Sequence, residues 1–220
     1  MAKDELNGRF AEETLRILRE AHAILENDHF VYVSGDHGSG WIDKDAIYPH
    51  TERIERLGRD MAKVVRGWEV EVVCGPATGG LIVAEWTAHE LGVLSVFAEH
   101  DPASEDSSLR GRFVLRRGYD QAVSGKRVLV VDDIVNTGLS LRQTAEAVRG
   151  AGGQVVGGAC LVSRGNVDAA GLGMGRFVYL LEYKIPAWPA SACQLCRAGV
   201  PINTRYAHGR EYLARQAEAR

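Results

Sequence analysis

Two adjacent carboxylates, Asp132 and Asp133, stand between an aliphatic run and a short loop in the segment VLVVDDIVNTGLS. The aliphatic run predicts a buried parallel strand, and open α/β sheets bind ligands at the carboxyl ends of such strands. The loop leads into a predicted helix, whose first backbone N–H groups lack partners inside the helix and attract anions together with the helix dipole. The sequence therefore predicts an anion site formed by Asn136, Thr137, Gly138, Leu139 and Ser140.

A sugar phosphate is the ligand that best fits two carboxylates beside an anion site. The carboxylates would repel a phosphate unless they face another part of the ligand or a cation. Ribose hydroxyls can donate to Asp132 and Asp133 while the 5′-phosphate binds the loop, and a hard cation such as Mg²⁺ can bind near the remaining charge. An acidic turn without a ligand and the phospho-acceptor site of a receiver domain are the alternatives. The glycine patterns of nicotinamide-binding and Walker loops do not occur in this segment.

The elements that position this loop alternate between strand and helix from Thr51 onwards. Helical patterns cover about 51–65, 81–91 and 141–152, and strand patterns cover EVEVVCG, VLSVFA, VLVV and VVGGACLV. This alternation predicts an α/β fold with a doubly wound, mainly parallel sheet flanked by helices. Before it we predict an amphipathic helix from Phe10 to about Glu26 and a hairpin in FVYVSGDHGSGWID. After it we predict an irregular tail with a helix near Glu211.

The predicted organisation has three parts, which are a helix and hood hairpin in 1–50, a ligand-binding α/β core in 51–185 and a C-terminal tail in 186–220. The net charge of −3 gives no general attraction to nucleic acid or anionic membranes. No apolar run approaches the roughly 20 residues of a membrane span, and the polar N-terminus does not resemble a signal peptide. We expect a cytoplasmic protein without nucleic-acid or membrane partners.

The tail contains a single C-x-x-C pair, Cys193 and Cys196. A tetrahedral zinc site requires a second pair of cysteines or two histidines, and His208 could supply only a third ligand. We therefore interpret these cysteines as structural or incidental rather than as a metal site or a redox pair.

VLVVDDIVNTGLS resembles the motif with which type I phosphoribosyltransferases bind 5-phosphoribosyl 1-pyrophosphate (PRPP). The resemblance extends over most of the chain and narrows to the orotate phosphoribosyltransferases. It is carried by the hood segment FVYVSGDHGSGWIDK, the loop CGPATGG, the arm FVLRRGY and the tail pattern C-x-L-C-x-x-G-x-P. The resemblance implies the type I phosphoribosyltransferase fold, with a small N-terminal hood and a flexible hairpin arm.

CGPATGG resembles the pyrophosphate loop of that family. Its glycines allow the backbone to approach the leaving pyrophosphate closely, and the resemblance implies PRPP contacts from Ala77, Thr78, Gly79 and Gly80. In the family the central peptide bond, here between Ala77 and Thr78, is often cis. A plain turn between strand and helix is the alternative.

The arm supplies the cationic candidates. Arg116 and Arg117 could bind pyrophosphate in a bidentate manner, since guanidinium matches phosphate geometry, or they could form an ordinary solvated edge. In the family a mobile loop crosses to the neighbouring subunit of a dimer. The resemblance therefore implies a homodimer in which His100, Arg110 and Arg112 are candidates for closing over the partner's site.

Two residues are candidates for binding the base. Arg164 matches the arginine with which the family binds the orotate carboxylate, although Ser163 replaces the usual acid before it. Lys44 in the hood is a candidate for contact with the base or a phosphate. Asp36 stands where many relatives carry a lysine. A strand-end cap for Arg164 and a surface position for Lys44 are the alternatives.

The resemblance implies Mg²⁺-dependent transfer of the 5-phosphoribosyl group from PRPP to orotate, which gives orotidine 5′-phosphate and pyrophosphate in pyrimidine biosynthesis. Mg²⁺ would be held mainly by PRPP, with Asp132 and Asp133 nearby. The departures at Asp36 and Ser163 leave another purine or pyrimidine base as an alternative. A non-catalytic regulator that senses PRPP is a second alternative, although the chain shows no basic stripe for DNA.

Overall fold

A six-stranded sheet is the centre of the larger of the two units into which the chain divides. The computed structural model describes residues 3–101 and 112–218. The larger unit contains the described residues of Met1–Ile17 and Tyr48–Tyr183, and the smaller unit contains those of Leu18–Ile47 and Lys184–Arg220. The hood hairpin and the tail, which the sequence presents as separate segments, thus belong to one unit.

The described helices and strands follow one another in this order: α1 (Lys3–Glu20), β1 (Ile24–Val31), β2 (His37–Ile42), α2 (Thr51–Val64), β3 (Val72–Pro76), α3 (Gly79–Leu91), β4 (Leu94–His100), β5 (Phe113–Val114), α4 (Tyr119–Val123), β6 (Arg127–Val135), α5 (Leu139–Gly150), β7 (Gln154–Ser163), β8 (Phe177–Glu182), β9 (Ala187–Trp188), α6 (Gln194–Arg197) and α7 (Gly209–Glu218).

The sheet of the larger unit has the strand order β5-β4-β3-β6-β7-β8. All neighbouring strands pair in parallel except β4 and β5, which form an antiparallel pair. The carboxyl ends of β3, β4, β6 and β7 therefore meet at one edge of the sheet. The predicted α/β fold with a mainly parallel sheet is confirmed.

Apolar residues bury both faces of this sheet. Val72 and Val128 pack in one cluster with Leu141 and Val148 of α5. Side chains alternate between the two faces of a strand. Val73 of β3 is equally buried, and it faces the opposite side of the sheet, where α2 and α3 contact the strands. Two covered faces explain why the strands read as nearly continuous aliphatic runs.

The predicted N-terminal helix is wrong at both ends. α1 begins at Lys3 and ends at Glu20, and His22 adopts a left-handed φ of 53° just beyond it. Ile24 and Leu25 fit the helical stripe in sequence, yet they pair with Ile42 and Trp41 across the β1–β2 ladder. The apolar residues that end the helix run directly into those that start the strand, so periodicity alone could not separate them.

The smaller unit contains an antiparallel sheet of order β1-β2-β9. The hairpin predicted in the hood is confirmed as β1 and β2, and the helix predicted near Glu211 is confirmed as α7. The tail before α7 is not irregular as predicted, because β9 pairs with β2 and α6 follows. Two backbone bonds tie the tail to β1, from the N–H of Asn203 to His29 O at 2.8 Å and from the N–H of His208 to Val31 O at 2.9 Å.

The sequence missed α4 and β8 and overestimated β5, which covers only two residues of FVLRR. Within residues 3–101 and 112–218, none of the helices is both long and apolar enough to cross a membrane.

Candidate active site

The acidic pair lies at the carboxyl end of β6, where the sequence places it. Asp132 is 8% exposed and Asp133 is 4% exposed. Asp132 Oδ1 accepts the N–H of Asp133 at 2.9 Å, and Asp133 Oδ1 accepts the N–H of Ile134 at 2.5 Å. Each of these hydrogen bonds holds one carboxylate oxygen against the backbone N–H that follows it. The pair is therefore oriented by its own backbone.

Tyr48 donates its hydroxyl to Asp133 Oδ2 over 2.5 Å. It lies shortly before α2 and belongs to the same unit as the sheet. Sequence reasoning missed this residue because its partner is 85 positions away and no spacing pattern connects the two. An aromatic hydroxyl can only be assigned to such a site once the fold brings it there.

The GPATGG loop packs directly against the acidic pair. A Cβ added to Gly79 would lie 1.7 Å from Asp133 Oδ2 and 2.6 Å from the Tyr48 hydroxyl. A Cβ on Gly75 would lie 2.0 Å from the carbonyl oxygen of Gly80. These contacts leave no room for side chains, so the loop requires glycine for close approach. The peptide bond between Ala77 and Thr78 is cis, as the resemblance implies.

The predicted anion loop borders a cavity at the start of α5. The cavity has a volume of about 150 Å³ and is lined by Asp132, Ile134, Val135 and the five loop residues, Asn136, Thr137, Gly138, Leu139 and Ser140. Gly138 has a φ of 72° and directly precedes the helix. The cavity thus lies at a helix N-terminus and beside a carboxylate, which is the arrangement predicted for a sugar phosphate.

Two side chains brace the anion loop from outside. Arg142 Nη1 donates to the carbonyl oxygen of Thr137 at 3.1 Å and to that of Gly171 at 3.3 Å. Asn166 Nδ2 donates to Asn136 Oδ1 at 2.6 Å. The loop is thereby held by the segment that follows β7.

Arg164 follows β7, the strand beside the acidic pair. Its backbone N–H donates to Val135 O at 2.8 Å, so it lies at the same sheet edge as Asp132 and Asp133. Ser163 before it is 1% exposed, and its Oγ accepts the N–H of Gly165 at 3.1 Å. The serine that replaces the family's acid therefore caps the turn in which Arg164 lies.

The predicted cations of the arm lie at the end of β4 and are paired with acids. Arg116 Nη2 is 3.1 Å from Asp101 Oδ1, and Arg117 Nη2 is 2.9 Å from Glu99 Oε2. The imidazole of His100 packs on the ring of Phe113, with 4.2 Å between ring centroids. These residues share the sheet edge with the acidic pair, although β3 separates their strand from β6.

The three other predicted residues are Arg112, Arg110 and Lys44. Arg112 is exposed, and its carbonyl oxygen accepts the N–H of Asp101 at 2.8 Å. Arg110 lies outside the described residues. Lys44 is half-buried in a short 3₁₀ helix, Lys44–Ala46, of the smaller unit.

The carboxylates fit a divalent cation as well as a sugar. Oxygen ligands suit a hard divalent cation, and Asp132 borders the same cavity as the anion loop. A cation bound by a substrate phosphate in that cavity would lie near carboxylate oxygens of Asp132. The residues present are therefore compatible with a metal held between protein and substrate.

The family described as "Phosphoribosyl transferase domain" matches residues 43–169, which cover most of the larger unit and both loops. The chain belongs to the type I phosphoribosyltransferase family. Such phosphoribosyltransferases generally depend on a divalent metal.

The chain is similar in sequence to enzymes named for one base. It is 36% identical over 193 residues to "Orotate phosphoribosyltransferase 2" of Mesorhizobium japonicum, covering 86% of this chain and 94% of that protein. It is 37% identical to the orotate phosphoribosyltransferase of Brucella ovis with the same coverage.

Solved structures of orotate phosphoribosyltransferases share the fold. The Aeropyrum pernix enzyme has a TM-score of 0.61 and 25% identity, with 76% of this chain and 92% of that chain covered. The Mycobacterium tuberculosis enzyme in complex with PRPP has a TM-score of 0.54 and 25% identity, with 83% of this chain and 91% of that chain covered.

Proposed function

We propose that the protein transfers the 5-phosphoribosyl group of PRPP to orotate and releases orotidine 5′-phosphate and pyrophosphate, a step of de novo pyrimidine biosynthesis. A ring nitrogen of orotate loses its proton to solvent and forms a bond to the anomeric carbon of ribose, while the bond from that carbon to the pyrophosphate oxygen breaks. The observation that carries the proposal is the position of Asp132 and Asp133 between the GPATGG loop and the cavity at the start of α5. Relatives of the same name along 86% of the chain support it.

Asp132 and Asp133 bind the ribose in this proposal. Their remaining lone pairs accept its hydroxyl groups, and their charge stabilises the positive charge that develops at the anomeric carbon. Tyr48 holds one oxygen of Asp133 in place. The 5′-phosphate binds the residues of the anion loop, Asn136, Thr137, Gly138, Leu139 and Ser140.

The leaving pyrophosphate binds the backbone of the loop formed by Ala77, Thr78, Gly79 and Gly80. Arg116 and Arg117 neutralise its charge. Both are exposed ion-pair partners of acids, and pairs of this type contribute only about 0–1 kcal/mol. A pyrophosphate can therefore replace Asp101 and Glu99 as partners at little cost.

Arg164 is proposed to bind the carboxylate of orotate. Its place directly after β7, the strand next to the acidic pair, supports this role, and a guanidinium forms two parallel hydrogen bonds to a carboxylate. Lys44 is a second candidate for contact with the base or a phosphate.

The divalent metal is proposed to be Mg²⁺, held mainly by PRPP with Asp132 and Asp133 nearby. When bound, it would neutralise charge on the leaving pyrophosphate. The protein's own residues orient the ribose, bind both phosphate groups and exclude water from the anomeric carbon.

The remaining proposals concern the assembly. We propose a cytoplasmic homodimer in which the arm, with His100, Arg110 and Arg112, closes over the partner's site. The functional division is a hood in 1–50, a PRPP-binding core in 51–185 and a tail in 186–220.

A different base is the second candidate, and Asp36 is the observation that favours it. Asp36 places a negative charge where many relatives carry a lysine. However, its Oδ2 accepts the Ser34 hydroxyl at 3.1 Å and its carbonyl oxygen accepts the N–H of Tyr32 at 2.8 Å. Asp36 thus has a role in the β1–β2 turn, which makes orotate the stronger candidate.

An assay of PRPP consumption with Mg²⁺ and a panel of bases tests the proposal. Orotate should be used with the highest kcat/KM, ahead of uracil, adenine, guanine and hypoxanthine. Faster turnover of a purine or of uracil would show that the substrate is that base and not orotate. Tight PRPP binding without turnover of any base would favour a regulator.

A further inference from the structure

Four side chains with metal-binding atoms converge in the smaller unit, separately from the proposed active site. His29 lies on β1, His37 begins β2, and Cys193 and Cys196 lie in the tail at the start of α6. One possible ligand atom from each lies within 4.8 Å of those from all the others. The sequence interpretation found no fourth ligand because the histidines are more than 150 positions from the cysteines.

The distances within this cluster are close to those of a tetrahedral metal site. Bonds of about 2.0–2.3 Å from a central metal to nitrogen and sulfur place neighbouring ligand atoms about 3.3–3.8 Å apart. Cys196 Sγ is 3.3 Å from His37 Nδ1 and 3.7 Å from His29 Nε2, and Cys193 Sγ is 3.6 Å from His29 Nε2. The two imidazole nitrogens are closer, at 2.8 Å, and need to separate by only about half an ångström.

The tautomer of His29 is set by the backbone. His29 Nδ1 lies 2.8 Å from the carbonyl oxygen of Val200. A carbonyl oxygen can only accept, so Nδ1 carries the proton and Nε2 presents its lone pair to the cluster. A carbonyl partner on the outer nitrogen is the usual support of a metal-binding histidine.

The cysteines have a matching support. Cys193 Sγ accepts the backbone N–H of Cys196 at 3.4 Å, a bond that becomes stronger when the sulfur is a thiolate. Cys193, His29 and His37 are each about 1% exposed or less, whereas Cys196 is exposed. Two thiolates would cancel the charge of one divalent cation, so the loaded site would be neutral, as burial requires.

We propose that His29, His37, Cys193 and Cys196 form a structural Zn²⁺ site that fastens the C-terminal tail to the hood hairpin. Two imidazole nitrogens and two thiolates form a ligand set that suits tetrahedral zinc, and four protein ligands leave no open position for catalysis. Binding releases the two thiol protons to solvent. This assignment replaces the interpretation of the C-x-x-C as structural or incidental cysteines rather than a metal site, and it removes His208 as a ligand, since His208 is absent from the set.

The site has a structural purpose in this unit. Its sheet consists of only three strands, β1 and β2 from the hood and the two-residue strand β9 from the tail. Small units with little core are commonly stabilised by a metal or a disulfide. Zinc bound to β1, β2 and the start of α6 would cross-link segments that are far apart in the chain, since His29 and Cys193 are separated by 164 positions.

The first test measures metal in the full-length protein, produced in zinc-supplemented medium and purified under reducing conditions without a polyhistidine tag or chelator. Elemental analysis should find about one zinc per chain. After exchange, Co²⁺ should give the intense visible bands of tetrahedral coordination and sulfur-to-cobalt charge transfer in the near ultraviolet. The proposal would be overturned if the wild-type protein contained no zinc and gave no tetrahedral cobalt spectrum. It would also be overturned if thiol counting under native conditions found a disulfide between Cys193 and Cys196.

Matched variants give the second test. Cys193→Ser and His37→Gln should each lower zinc content at least tenfold, and adding EDTA should lower the wild-type melting temperature but not that of the variants. His208→Gln, which changes a histidine of the same unit outside the cluster, should keep its zinc and its response to EDTA. Retained zinc in Cys193→Ser would contradict the assignment. Metal content is measured without substrate, so this result is independent of whether orotate is the base.

Discussion

Tyr48 and Asp133 are joined by a hydrogen bond of 2.5 Å from the phenol to a carboxylate that is 4% exposed. The bond connects the segment before α2 to the carboxyl end of β6 and fixes one oxygen of the acidic pair. Gly79 lies against both groups. The orientation of the proposed ribose-binding carboxylate therefore depends on a residue and a loop from elsewhere in the chain.

Tyr48→Phe should lower kcat/KM for PRPP about 10- to 150-fold, because a hydrogen bond to a charged group is worth about 1.5–3 kcal/mol. The ring keeps its packing, so the melting temperature should fall by only a few degrees. Steady-state kinetics and a thermal melt measure the two effects. Unchanged kinetics would show that Tyr48 does not orient Asp133 in the reaction.

Asp133→Asn should reduce kcat by about 10²–10³, a loss typical of removing one electrostatic contact to the transition state. The amide is the same size as the carboxylate, so folding should suffer less than turnover. Rates compared with unfolding in urea separate the two. A variant with the wild-type rate would remove Asp133 from the mechanism.

Gly79→Ala should abolish measurable turnover and destabilise the fold by about 1–3 kcal/mol, because its methyl group would overlap Asp133 and force the loop or the carboxylate to move. Gly150→Ala is the matched control, since nothing lies within 4 Å of the added carbon at that helical position. Urea unfolding and kinetics of both variants test this. Equal behaviour of the two variants would mean that the loop accommodates a side chain.

Arg164→Ala should raise KM for orotate about 10- to 100-fold and leave KM for PRPP nearly unchanged, because the contact proposed for Arg164 is to the carboxylate of the base. Arg127→Ala serves as the control. This arginine is at the opposite end of β6 and bonds to Glu69 and Glu71. Equal increases in both Michaelis constants for Arg164→Ala would count against its assignment to the base.

The buried thiol of Cys74 should make the free energy of unfolding decrease as the pH becomes alkaline. Burial raises the pKa of its thiol from 9.0 to about 12. Between these values the unfolded chain loses the proton and the folded protein keeps it, so stability falls as pH rises, by up to about 1.4 kcal/mol per pH unit. Cys74→Ala should therefore lose about 1.4 kcal/mol less than wild type between pH 8 and pH 10 in urea unfolding. Parallel losses in the two proteins would show that the thiol titrates normally.

Local chemistry made most of the larger unit predictable. An aliphatic run followed by acids and a small-residue loop has one natural place in an α/β sheet, and the carboxyl ends of parallel strands meet at one edge. The contact between GPATGG and the acidic pair follows from this rule. The end of α1 was not predictable, because helix and strand share an uninterrupted apolar run there.

The sequence by itself determined the class of fold and the places of the loop after β6 and of the glycine loop, since each depends on neighbouring residues. Only the tertiary structure decided that Tyr48 holds Asp133 and that His29 and His37 meet Cys193 and Cys196. These contacts join side chains 85 or more positions apart. No local pattern encodes such pairs, because their distance is set by the packing of whole strands and helices.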